Sequence, residues 1–182
     1  MDTALFLETD LIQRARQYDR RALAQIYDLY SPGLYRYAMR LLGDTNLAED
    51  CVSETFSRFL GALHSGKGPR DHLQAYLYRI AHNWITDQYR RQPPTEELDE
   101  TLPHPGEDPE SAAARLIRQA RLREAIRRLT PDQQQVIALK FLEGWENEEI
   151  ANALGKPLGA VKSLQHRALE SLKSFLLNED LV

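Results

Sequence analysis

Between Pro93 and Ala112 the chain carries seven carboxylates (Glu96, Glu97, Asp99, Glu100, Glu107, Asp108 and Glu110) and not one Lys or Arg. A stretch with so much like charge and so few apolar side chains cannot build a core and is expected to be a flexible tether. It divides the 182 residues into two segments that must each bury their own apolar surface. The organisation predicted is a first domain over 1–92, a linker over 93–112 and a second domain over 113–182.

On both sides of the linker, apolar residues recur at helical spacing and no stretch alternates as a half-buried strand would. The fold class expected is all-α, two small helical domains. Leu11, Ala15 and Tyr18, then Ala22, Leu23, Ile26, Tyr27 and Tyr30, mark a first helical region that should break at Ser31-Pro32. The next helix carries Leu34, Tyr37, Ala38, Leu41 and Leu42 and should stop at Gly43, which can take the left-handed cap conformation. Asn46 with Glu49 reads as a capping box for a helix bearing Val52, Phe56, Phe59, Leu60 and Leu63. Two glycines and a proline make His64 to Pro69 a loop. Asp71 should cap a fourth helix, with Leu73, Tyr76, Leu77, Ile80, Ala81, Trp84 and Ile85, ending before Pro93-Pro94.

Beyond the linker, helices should resume near Ser111. Thr130-Pro131-Asp132-Gln133 combines a hydroxyl N-cap, a proline in the first turn, an acid favourable to the helix dipole and a capping-box Gln. The helix it opens should end at Glu143-Gly144. Two further helices, about 147–154 and 157–177, are joined by Leu154-Gly155-Lys156-Pro157, a turn with a left-handed-capable glycine. This is a helix-turn-helix pattern: Ala151 is small at the crossing, and Val161 fills the space between the helices. Val161, Leu164, Ala168, Leu172 and Phe175 share the inner face of the last helix and leave Lys162, Ser163, His166 and Arg167 outward near its N-terminal half, the part of this motif that enters the major groove. Glu146 stands where a capping Ser is common, so Asn147 is expected to cap.

Charge is compatible with that use. The net −4 includes the linker's −7, leaving +3 elsewhere, and residues 113–178 hold eleven Lys or Arg against seven Asp or Glu. That is a modest footprint for phosphate binding.

Three stretches together carry a family resemblance. LREAIRRLTPDQQQVIALKFLEGWENEEIANALGKPLGAVKSLQHRALESLK (122–173) resembles the C-terminal promoter-recognition domain of the extracytoplasmic-function (ECF) sigma factors of bacterial RNA polymerase. LAEDCVSETFSRFL (47–60) is similar to the helix with which that family grips the clamp helices of the polymerase large subunit, and AYLYRIAHNWITDQYRR (75–91) to its helix for the −10 promoter element and strand opening. The chain departs from the family pattern at Ser53, Leu164, Gln165 and Leu169.

The resemblance implies a polymerase-binding set of Asp50, Ser53, Glu54 and Phe56. It implies a −10 set of Lys67, Arg70, Asn83, Trp84, Asp87, Arg90 and Arg91, with the Lys67 to Arg70 loop where the family captures an extruded base. Opened strands call for stacking surfaces and phosphate neutralisation together. The −35 element would be read by Lys156, Lys162, Ser163, His166 and Arg167. The implied partners are RNA polymerase core, through its clamp helices and flap, promoter DNA, and an anti-sigma factor. No cofactor or metal is implied.

Other classes fit less well. An ordinary helix-turn-helix regulator would explain 122–177 but not the order of motifs in 47–91. The five histidines show no metal-ligand spacing, and neither a Gly-rich phosphate loop nor a nucleophile motif is present, so an enzyme is not expected. Cys51 cannot form an internal disulfide and reads as a small buried apolar residue rather than a redox switch. With apolar runs too short for a membrane span and no signal-peptide pattern at the N-terminus, the expected setting is the cytoplasm.

Overall fold

The computed structural model describes residues 3–91 and 105–179; residues 93–104 of the expected tether lie outside the described residues. Among the described residues there are eight helices and no strand: α1 (Thr3–Arg16), α2 (Arg20–Leu42), α3 (Thr45–His64), α4 (Leu73–Arg91), α5 (Pro109–Arg127), α6 (Pro131–Ile137), α7 (Asn147–Leu154) and α8 (Leu158–Glu179). A π-type turn over Ala138–Leu142 continues α6. Helices α2, α3 and α4 pack on one another with α1 laid across α2 and α3, while α8 packs on α5, α6 and α7.

Each bundle is held by the predicted apolar stripes. Ile26, Leu34, Tyr37, Leu41, Phe59, Leu77 and Ile85 are buried in the first; Val136, Leu139, Ile150, Val161 and Ala168 are buried in the second. Burying each large side chain is worth about 1.5–3 kcal/mol. The two cores are continuous, because α4 packs on α7 and α2 packs on α5 and the π turn.

Several expected boundaries moved. No break occurs at Ser31-Pro32: α2 runs through Pro32. An interior proline costs roughly 3 kcal/mol, but the buried stripe Ile26, Leu34, Tyr37, Ala38, Leu41 spans it, and Pro32 itself is exposed, where water can serve the carbonyl that loses its donor. The break falls earlier, at Gln17 to Asp19. There Tyr18 takes a left-handed φ of 59° and Asp19 caps α2 by accepting from the Arg21 and Ala22 amides.

Asp44, not Asn46, caps α3 through the Leu47 amide. Asp71 does not open α4; its first residue, Leu73, donates its N–H to Glu8 Oε1 at 2.7 Å. Helix α5 starts at Pro109 with Asp108 as N-cap, slightly before Ser111. Glu146 occupies the N-cap of α7 and its N–H donates to the Glu149 carboxylate at 2.7 Å, while Asn147 accepts instead from Gln165 of α8 at 2.6 Å. Gly43 and Gly155 take the predicted left-handed caps at φ 68° and 60°, and Thr130 with Gln133 forms the predicted capping box.

Candidate nucleic-acid interface

Helices α7 and α8 form the predicted helix-turn-helix. Gly155 turns the chain, the Lys156 N–H returns to the Ala151 carbonyl at 3.0 Å, and Val161 is fully buried between the helices. Burying Val161, Ala168 and Leu172 fixes the rotation of α8, and that rotation leaves Lys162, Ser163, His166 and Arg167 exposed on one face. His166 is 74% exposed, and its one ion-pair partner, Glu170 at 3.4 Å on the next turn, is exposed as well. Arg167 Nε donates to the Ser163 carbonyl at 3.3 Å. Lys156 differs from the other four: it sits in the turn and pairs with Asp132 at 2.9 Å, across to the start of α6.

Helix α4 is two-sided. Leu73, Leu77, Tyr78, Ala81, His82, Ile85 and Thr86 are buried, and Asn83, Asp87 and Arg90, spaced i, i+4, i+7, share the opposite face. Asn83, Arg90 and Arg91 are exposed, and Arg90 stands 3.7 Å from Asp87. Trp84 is half-buried and packs against the core, so only part of its ring is free to meet a base. Lys67 and Arg70 are exposed on the loop that precedes α4.

On α3 the residues expected to bind polymerase divide. Asp50 and Ser53 are exposed and Glu54 is half-exposed, with an ion pair to Arg58 at 2.7 Å. Phe56 is 8% exposed, its ring 4.8 Å from that of Tyr27, so it is a core residue and offers little to a partner. Beside Ser53 lies a groove of about 550 Å³ between α2 and α3, lined by Tyr27, Tyr35, Arg36 and Glu49 among others. The sequence reading missed this α2 wall. On that wall Tyr27 remains 49% exposed, which its place on an apolar stripe in the sequence does not reveal.

Contacts between the two bundles were not anticipated either. The Glu143 carboxylate accepts from Tyr78 Oη at 3.1 Å and pairs with Arg40 at 3.0 Å; Arg40 also donates to the Leu142 carbonyl. Trp145 packs on the Tyr78 ring, Arg79 donates to the Ala153 carbonyl, and Arg127 lies 4.9 Å over the Tyr89 ring. Burial holds the His82 imidazole neutral, its pKa lowered to about 4, against weaker opposing effects of its bond to the Pro131 carbonyl and of the Asp132 charge.

Among the described residues no group of three or more His, Cys, Asp or Glu is placed to hold a metal ion, and no helix is long and apolar enough to cross a membrane.

Comparison with known proteins agrees with this layout. Residues 26–94 match the family Sigma-70 region 2, and residues 119–172 match Sigma-70, region 4. The ECF RNA polymerase sigma factor BldN of Streptomyces coelicolor is 34% identical over 180 residues, covering 96% of this chain and 67% of the relative. SigW of Bacillus subtilis, also an ECF RNA polymerase sigma factor, is 30% identical over 177 residues, covering 91% and 94%. Among solved structures, CnrH in complex with the cytosolic domain of CnrY superposes with a TM-score of 0.69 at 25% identity, over 95% of this chain and 98% of CnrH. An ordinary helix-turn-helix regulator would not account for the match over 26–94. With both regions matched in order and relatives aligned along more than nine-tenths of its length, the chain belongs to the ECF sigma factors of RNA polymerase.

Proposed function

We propose that this protein directs RNA polymerase core to promoters, recognises their −10 and −35 elements, and couples that recognition to strand opening and transcription initiation, with no catalysis of its own. The observation that carries the reading is the rotation of α8, which buries Val161, Ala168 and Leu172 and presents Lys162, Ser163, His166 and Arg167 to solvent. A helix in this motif uses that position to reach base edges. Lys156, beside it in the turn, is assigned to the same −35 contact. Residues 1–92 act as the unit for polymerase and the −10 element, residues 113–182 as the −35 unit, and 93–112 as the link.

In the first unit, Asp50, Ser53 and Glu54 on α3 face the polymerase clamp helices. Asn83, Asp87, Arg90 and Arg91, with the exposed part of Trp84 and the loop residues Lys67 and Arg70, face the −10 strand. The flap of the polymerase meets the second unit. An anti-sigma factor completes the set of partners; CnrH was solved bound to a second protein, the cytosolic domain of CnrY. The site of action is the cytoplasm, where polymerase and promoter meet. Run-off transcription with purified core polymerase on a genomic library, with the start sites sequenced, tests the reading. Start sites sharing a −10 and a −35 element are the expected result, and the absence of any start beyond core alone would refute it.

A further inference from the structure

The loop between α3 and α4 is held in two halves by different parts of the molecule. Its first half is tied to the end of α3, where the amides of Ser65, Gly66 and Lys67 donate to the carbonyls of Gly61, Leu63 and Ala62 at 2.9–3.1 Å. Its second half, Gly68 to Leu73, is held by side chains of α1. Arg16 Nη1 donates to the Gly68 carbonyl at 3.0 Å and to the Pro69 carbonyl at 3.4 Å, and Glu8 Oε1 accepts from the Leu73 N–H at 2.7 Å. Leu11, Ile12 and Ala15, buried between these two residues in sequence, anchor α1 to the bundle, so the clamp has a fixed base.

The path being clamped is one a free loop would not keep. Gly68 passes so close to α3 that a Cβ there would lie 2.6 Å from the Leu63 side chain and 3.4 Å from its Cα. His72 is held at φ 48°, a left-handed conformation unfavourable for a residue with a side chain, and the Glu8 bond fastens the very next amide. Pro69 is buried, while Lys67, Arg70, Asp71 and His72 are exposed. The clamp therefore sets where the exposed Arg70 and His72 stand relative to Asn83 on α4.

We infer that Arg16 and Glu8 are positioning residues for −10 recognition: from α1, outside the matched region 2, they hold the second half of the loop in the shape that reads the element. The inference rests on the assignment of this loop to the −10 contact. Loops that bear recognition residues need a rigid support to keep them in register, and a guanidinium on two carbonyls is a strong one.

The test uses the full chain with core polymerase and a panel of promoters substituted at single −10 positions. Arg16→Ala and Glu8→Ala should reduce discrimination between the preferred and substituted −10 elements by about tenfold, the scale of one charge-assisted hydrogen bond. Core affinity and −35 preference should stay at wild-type values, and the melting temperature should fall by no more than about 2–4 °C, the scale of one lost hydrogen bond. Arg16→Lys, which keeps the charge on a single donor nitrogen but loses the guanidinium geometry, should restore part of the discrimination. Hydrogen exchange at residues 68–73 should speed up in both alanine variants, a change that a role elsewhere in the fold would not confine to this loop. Wild-type discrimination in Arg16→Ala, or a loss of core affinity as large as the loss of discrimination, overturns the inference. The double variant Lys67→Ala, Arg70→Ala separates the two levels. If it leaves −10 discrimination intact, the loop assignment itself fails; if it abolishes discrimination while Arg16→Ala does not, only the clamp fails.

Discussion

His82 Nε2 lies 3.1 Å from the carbonyl oxygen of Pro131, so one imidazole on α4 touches the first residue of α6 in the other bundle. A carbonyl can only accept, which assigns the proton to Nε2 and leaves Nδ1 to accept from Tyr37 Oη at 2.8 Å. The neutral ring thus joins α2, α4 and α6 with both nitrogens satisfied. With Glu143 between Arg40 and Tyr78, and with Arg79 on the Ala153 carbonyl, it sets how the bundles meet.

This arrangement makes stability sensitive to acid. Burial keeps His82 neutral in the folded chain down to about pH 4, whereas an unfolded histidine takes its proton near 6.5. Between those values the unfolded state binds more protons, so stability falls as pH drops from 6.5 towards 4, by about 3 kcal/mol in all, and is unaffected by this group above that window. Urea unfolding at a series of pH values should show this loss in the wild type and a smaller one in His82→Gln, which cannot titrate. Parallel pH profiles for the two proteins would mean that the ring is not held neutral.

Burial also decides the chemistry of Cys51. Its thiol is enclosed between α3 and α4, near the Ala81 carbonyl, and burial raises its pKa to about 12 against smaller lowering effects from Thr55 and Arg58. The thiolate is the reactive species, so the native protein should resist alkylation at pH 8 and react only through unfolding. Iodoacetamide labelling across a urea titration should follow the unfolding curve. Rapid labelling without denaturant would show that the thiol is accessible and reactive in the folded chain.

The elements legible in the sequence were those whose cause is local. Thr130 and Gln133 cap α6 by bonds within four residues, and Gly155 turns the helix-turn-helix by its own φ. The solvent-facing side of α8 followed from the spacing of Val161, Ala168 and Leu172, because a helix has one inner face and the rest must be outward. What was misread depends on partners distant in sequence. Pro32 breaks a helix in isolation but not one whose stripe packs on α3 and α4. Asp71 looked like a cap because its true replacement, Glu8, stands 65 residues from the amide it serves. Phe56 was expected to meet the polymerase, although the Tyr27 ring that covers it comes from another helix.

Phosphate binding on α4 is open to a salt test. Arg90 and Arg91 are exposed at the end of the helix, and the ion pair of Arg90 with Asp87 is a weak one at 3.7 Å, so both guanidinium groups can meet DNA at little structural cost. Removing one phosphate-binding side chain should lower the slope of log affinity against log salt by about 0.9. Arg90→Ala with Arg91→Ala should therefore flatten the salt dependence of promoter binding by the holoenzyme without changing the melting temperature. An unchanged slope would show that neither residue meets phosphate.

The α8 face supports a sharper test, because its four residues differ in what they can read. Lys162, Ser163, His166 and Arg167 lie within about one and a half turns, a span that can follow a few base pairs of the major groove, where each pair presents its own donors and acceptors. Arg167 has a fork of donors that suits guanine, and Lys162 is a point charge suited to guanine or phosphate. Ser163 and His166 can add finer discrimination through single hydrogen bonds. Replacing a residue that bonds a base edge in two places should cost about 1–3 kcal/mol and relax preference at one −35 position, whereas removing a side chain that meets only phosphate should weaken all sequences alike. All four side chains are exposed, so alanine at each should leave helicity and melting temperature at the wild-type level. Each variant is measured against a panel of −35 substitutions, and the pattern of relaxed positions maps the side chains onto the site. If all four kept wild-type affinity and base preference, the solvent-facing side of α8 would not be the reader, and promoter recognition by the second bundle would have to be sought on another surface.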